Sequence, residues 1–187
     1  MSEKIIGETT NSVGITIPAI EIMRNRSKAT ERIFKGKIVP LISEIGKKYG
    51  FEIVFGIGEN SHSGFDEDIH LNRCLEQYWG FFFTKREWKG FRIHFEFQFP
   101  YLHELYYGVR SKGINISPNL DEYLRSLPSN PGPKNKHWSF YQYMDKYRNW
   151  DDNFFLDLYS DNDSITKLFE DKINYILNIV KGKESEL

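Results

Sequence analysis

The sequence predicts an α+β domain, an antiparallel meander sheet covered by N-terminal and C-terminal amphipathic helices. Three observations predict it. From Phe91 to Phe99, apolar Phe91, Ile93, Phe95, Phe97 and Phe99 alternate with Arg92, His94, Glu96 and Gln98, the period of two that gives a strand one apolar and one polar face. Between Lys28 and Tyr49, Ile33, Phe34, Ile38, Leu41, Ile42, Ile45 and Tyr49 share one helical face. Near the other end, Ile165, Leu168, Phe169, Ile173, Ile176, Leu177 and Val180 do the same. Elements with one apolar face each must bury it, so both helices are expected on the apolar side of the sheet and the polar side is expected in solvent.

Taken in order, residues 1–12 read as a mobile polar arm, 13–182 as one domain and 183–187 as a tail. Val13 to Ile17 is a candidate short strand. The first helix has Ser27 or Thr30 as candidate N-cap, is kinked or divided at Pro40 and stops at Gly50. Phe51 to Ile57 alternates as a strand, and Gly58 to Asn72, rich in Gly, Ser, Asn and Asp, reads as a loop. The aromatic run Tyr78 to Thr84 is a strand, joined through a charged connection ending at Gly90 to the central strand as a hairpin; a third strand spans about Glu104 to Arg110. Pro118 and Asn119 open a short helix through Leu127, with Asn119 and Glu122 spaced as a capping-box variant. Pro128 to Lys136 is an exposed loop, His137 to Trp150 a strand or irregular cover, and the last helix starts at Asp163 or Ser164 and closes near Gly182.

The chain has 187 residues, with 25 Lys plus Arg against 26 Asp plus Glu, so it lacks the global basic excess of a dedicated nucleic-acid binder. Charge is uneven locally: Arg24 to Lys48 is mostly basic, and Asp151 to Asp163 is purely acidic. The single cysteine, Cys74, excludes an intramolecular disulfide and fits a reducing cytoplasm. No apolar run is long enough to span a membrane, and the N-terminus lacks the pattern of a secretory signal, so a soluble cytoplasmic protein is the expectation.

Three sets of residues are candidates for chemistry. His62, Asp66, Asp68 and His70 have the donor types for a divalent metal, although a solvated acidic loop is the favoured reading because no established ligand spacing is present. Glu96 and Gln98, with Asp66 and Asp68 upstream, resemble the outline of the metal-binding strand of PD-(D/E)XK nucleases, where carboxylates hold Mg2+ to activate water. Gln98 stands where that motif has lysine, so catalysis and a bound cofactor are not expected. At the hairpin tip, Lys85, Arg86, Trp88 and Lys89 offer cations beside an aromatic ring, a combination that suits base stacking with phosphate pairing, or a protein partner. The competing and favoured reading folds Trp88 back onto the sheet.

Read together, the blocks WGFFF, EWKGFRIHFEFQF, LYYGVRSK and YRNWDD resemble the C-terminal region of bacterial proteins of the PD-(D/E)XK nuclease superfamily whose role is unknown. The resemblance runs from about Ala29 to Lys181. It implies a part that accompanies a nuclease core, while the core's own Asp and Glu-x-Lys positions have no counterpart here. The expectation is a non-catalytic binding module, with nucleic acid or another protein as partner, in a phage or defence setting. The alternative is an unusual Mg2+-dependent nuclease, and a structural oligomerisation domain stands third.

Overall fold

The structure is a computed structural model, which describes residues 32–56, 62–63, 77–110, 116–130 and 137–187. The expected arm at 1–12, the strand at 13–17, the Ser27 or Thr30 cap and Cys74 lie outside the described residues. The chain divides into two compact units, Met1–Pro40 and Leu41–Leu187.

In the first unit, a π-helical turn, Phe34–Ile38, leads into α1, Val39–Tyr49, which continues past the division. The Val39 N–H donates to the Phe34 carbonyl, five residues back. Pro40 therefore changes the helix type instead of ending the helix. Proline has no N–H to donate, and its ring crowds the carbonyl four residues earlier; a widened turn just before it relieves that crowding.

The second unit is α+β. Its sheet has six antiparallel strands in the order β2-β1-β3-β4-β5-β6. These are β1, Glu52–Phe55; β2, His62–Ser63; β3, Gly80–Thr84; β4, Ile93–Phe99; β5, His103–Arg110; and β6, Trp138–Tyr143. The helices after α1 are α2, Pro118–Ser126; α3, Asp152–Ser160; and α4, Asn162–Ile179. β2 pairs Phe55 with His62, a short strand where the sequence reads only as loop.

One face of the sheet is the expected apolar one. Phe81 stacks on Phe95 at 5.3 Å and Phe95 on Tyr107 at 5.9 Å, each pair on adjacent strands. α4 covers this row: the Phe169 ring lies 5.1 Å from Phe95 and 6.1 Å from Phe81. α1 packs against Ile53, and a side chain at Gly46 would collide with Ile53, so the glycine permits the close approach. Lys48 at the end of α1 reaches Glu170 of α4 at 2.7 Å.

Three helix starts differ from expectation. α2 begins after Ser117 with Pro118 in its first turn, so proline's missing N–H costs nothing there, and Asn119 lies inside the helix instead of capping it. α4 is capped by Asp161, which accepts from the Ser164 N–H. α3 has no counterpart in the sequence expectation: Asp151 caps it, accepting from the Asn153 and Phe154 N–H groups, and Phe154 and Leu158 form its buried stripe. The acidic run around it masks a two-turn pattern.

The polar face of β4 also departs from expectation. His94 is 6% exposed and Glu96 is 5% exposed, so this face is not a solvated one. Aromatic neighbours on the same side, Phe82, Tyr106 and Trp138, are buried with them.

Candidate functional site

Strand register assembles this second face. Residues directly opposite in an antiparallel ladder share a side of the sheet. One row runs Gly80, Glu96, Tyr106, Tyr143, and the next runs Val54, Phe82, His94, Gly108, Tyr141. Each buried polar side chain thus has a glycine as one cross-strand neighbour. A Cβ at Gly80 would lie 2.1 Å from the Phe95 carbonyl oxygen, and one at Gly108 equally close to that of Phe140. Backbone blocks both positions, so neither can carry a larger residue without moving a strand.

A β-bulge supplies a further wall. Val109 pairs with Phe140, but Arg110 pairs with Trp138, which leaves Ser139 as the extra residue on β6. Without the bulge, Trp138 would share the core face of Phe140 two residues on; the inserted residue turns it to the Arg110 side. Ser139 is fully buried, donates to Asp121 of α2, and its carbonyl accepts from the Asn130 amide at 2.9 Å. The bulge is therefore anchored.

The result is a cavity of about 130 Å3 lined by Tyr78, Gln98, Tyr106, Trp138, Tyr141 and Tyr143. Its ring pairs meet steeply: Tyr106 makes angles of 67°, 72° and 71° with Trp138, Tyr141 and Tyr143, and Tyr141 makes 85° with Tyr143. Several of these side chains are braced from outside. The Tyr143 hydroxyl donates to Gln98 Oε1 at 2.7 Å, and the Arg148 guanidinium lies 4.0 Å from the Tyr143 ring centre while its Nε donates to Glu104 at 2.7 Å. Tyr78 takes a left-handed backbone (φ 62°), which few side chains adopt, and its N–H donates to the Phe97 carbonyl at 2.9 Å.

Beside the cavity lies a buried polar group. The Tyr106 hydroxyl donates to Glu96 Oε1, and Arg110 approaches Glu96 Oε2 at 3.5 Å. Burial raises the Glu96 carboxyl above its ordinary range, and the Tyr106 hydrogen bond and Arg110 charge pull it partly back. Burial, then the charge and hydrogen bond of Glu96, keep the Tyr106 hydroxyl protonated. His94 stacks on Phe82 at 4.7 Å and meets Trp138 edge-on. Burial first, then Arg110 and Arg92, hold it well below its ordinary value, so it is neutral.

The candidates read from the sequence fall differently. Glu96 and Gln98 belong to this face, but the Glu96 oxygens face Tyr106 and Arg110, and Gln98 Oε1 accepts from Tyr143. Asp66, Asp68 and His70 lie outside the described residues, and of His62 only the strand position is described. Among the described residues, no group of three or more His, Cys, Asp or Glu is placed to hold a metal. At the hairpin tip, Trp88 is half-buried, 4.9 Å from Phe91 and 5.5 Å from Phe51, with the Lys85 ammonium 5.3 Å from the Phe51 ring. Only Arg86, Glu87 and Lys89 are exposed there. The tryptophan thus packs at the core margin while keeping part of its ring exposed beside the charges of the tip.

The cleft itself is absent from the sequence expectation. Its signal is that β5 and β6 place aromatic residues on both parities, Tyr106 with Tyr107 and Phe140 with Tyr141, so neither face can be the polar one.

An α+β sheet unit with an aromatic cleft on its second face is the class that fold and site define. No family model matches the chain, no curated protein matches it, and no solved structure matches it. Among the described residues, no helix is long and apolar enough to cross a membrane.

Proposed function

We propose that the protein is a non-catalytic binding module and that the aromatic cleft holds the bound group. The observation that carries this reading is the convergence of five aromatic rings and one amide, drawn from three strands and the residue two before β3, on a single cavity. Aromatic side chains are large, stiff and amphipathic, so a cleft built of them gains contact area at low ordering cost. The bracing of Tyr143 and the strained backbone of Tyr78 support a prearranged site. Hydrolytic chemistry has less support: a Mg2+ site needs converging free carboxylate oxygens, and those of Glu96 are directed at Tyr106 and Arg110.

A ligand-observed NMR screen of small polar and aromatic fragments tests the reading. Fragments should bind the wild-type protein and lose contact with Tyr141→Ala, once its fold is confirmed by circular dichroism. Fragments that bind both proteins alike would overturn the assignment. In parallel, incubation with single- and double-stranded DNA and RNA in Mg2+ or Mn2+ should yield no products. Cleavage abolished by Glu96→Ala would replace this proposal with the nuclease alternative.

A further inference from the structure

The shape and chemistry of the cleft narrow its occupant, an inference that rests on the binding reading above. Small-molecule pockets usually measure about 300–1,000 Å3. At about 130 Å3 this cavity takes one chemical group and not a whole molecule. A flat ring is best held between two parallel faces, yet the rings here meet at 64° to 85°. Walls at such angles make a box, which suits a compact, rounded group.

The same face shows what its rings attract. The Arg148 guanidinium lies 4.0 Å from the Tyr143 ring centre and that of Arg92 lies 4.6 Å from Phe82, so two of its rings already carry a cation. Among the described residues, no cation lies over Tyr106, Tyr141 or Trp138. Glu96 is paired with Arg110 and Glu104 with Arg148, which leaves the walls without a strong opposing charge. A bare ammonium would lose its tightly held water on entering, whereas one covered with methyl groups has less to lose.

We propose that the cleft is an aromatic cage for a methylated ammonium group, of the kind carried by choline or by trimethylated lysine. The rings of Tyr106, Trp138 and Tyr141 face the positive charge, Tyr78 and Tyr143 close the sides, and Gln98 borders the opening.

The test uses the full chain, labelled with 15N, and five probes: tetramethylammonium, choline, Nε-trimethyl-lysine, lysine, and 3,3-dimethylbutan-1-ol, the neutral carbon analogue of choline. Adenosine monophosphate serves as a flat anionic comparison. Shifts of the Trp138 indole and Tyr141 amide signals report occupancy, and calorimetry gives affinity. The expected result is binding of the three methylated cations, with the neutral analogue and lysine at least about tenfold weaker. The ratio of choline to trimethyl-lysine tells which source fits better. Equal binding of the neutral analogue, or cleft shifts with the nucleotide alone, would overturn the cation proposal while keeping the cleft as a binding site. Cleft signals unmoved by every probe would overturn both. The wild-type comparison needs no variant; Tyr141→Leu, if it folds, should weaken choline at least about tenfold, whereas Tyr141→Phe should retain it.

Discussion

Glu96 and Tyr106 stand directly opposite each other on β4 and β5, and the tyrosine hydroxyl donates to the glutamate carboxylate inside the protein. Tyr106→Phe keeps the ring and removes the donor. A buried acceptor left short of a partner costs about 1–3 kcal/mol, and urea unfolding should show a loss in that range. The loss should be greater at pH 8 than at pH 5. Without the hydroxyl the Glu96 carboxyl rises further, and acid then relieves the buried charge, left with Arg110 alone, by protonating it.

His94 should give the folded state an acid sensitivity of its own. It is held neutral in the folded protein, whereas the unfolded chain takes up a proton below about pH 6.5. The unfolded state then binds more protons, so stability falls as pH drops from 7, with a slope approaching about 1.4 kcal/mol per pH unit from this residue. His94→Phe should unfold less steeply with acid than wild type. Glu96 contributes the opposite sign over its own window, so the difference between the two proteins is what isolates His94. Parallel pH profiles would overturn this assignment.

Phe95 sits at the centre of the apolar face, fully buried among Phe81, Phe83, Tyr107 and Phe169. Truncation to alanine should cost about 3–5 kcal/mol, because the rings around it belong to β3, β5 and α4, which cannot close the void. Chemical denaturation of the purified variant measures this.

Gly108→Ala should be more damaging than its single added methyl implies. The methyl would lie 2.1 Å from the Phe140 carbonyl oxygen, so β5 and β6 must separate, and overpacking of this kind costs about 1–3 kcal/mol or more. Gly36→Ala is the control, with nothing within 4 Å and helical surroundings. A smaller loss at Gly108 than at Gly36 would contradict the described register.

The hairpin tip separates into two roles. Trp88→Ala should lower stability through lost contact with Phe51 and Phe91, while Arg86→Glu should leave the unfolding free energy within about 0.5 kcal/mol of wild type because the residue is exposed. Equal effects would place Trp88 in solvent.

The α+β class and most strands are legible in the sequence because their causes are local. Phe91 to Phe99 alternates without a break, and the apolar stripe of α4 is continuous, so period alone identifies both. What escapes depends on neighbours distant in sequence. Nothing in the order His94, Glu96, Gln98 says that Tyr106 and Trp138 will close over them; strand register decides that. The turn of Trp138 onto this side depends on one bulged residue, Ser139, held by Asp121 and Asn130. α3 is hidden for a different reason, since its charges are legible and its buried pair, Phe154 and Leu158, too short a pattern to stand out.

β6 serves the core with Phe140 and the cleft with Tyr141 and Tyr143. Occupancy and folding are consequently coupled in this one strand: a solute that enters the cleft only when β6 is in place must resist its detachment. At a hundred times its dissociation constant, such a solute adds about 2.7 kcal/mol to the unfolding free energy. The melting temperature of the sheet thereby becomes a readout of cleft occupancy, and heating the protein with a panel of solutes would reveal its natural ligand without isotopic labels or an assay of activity.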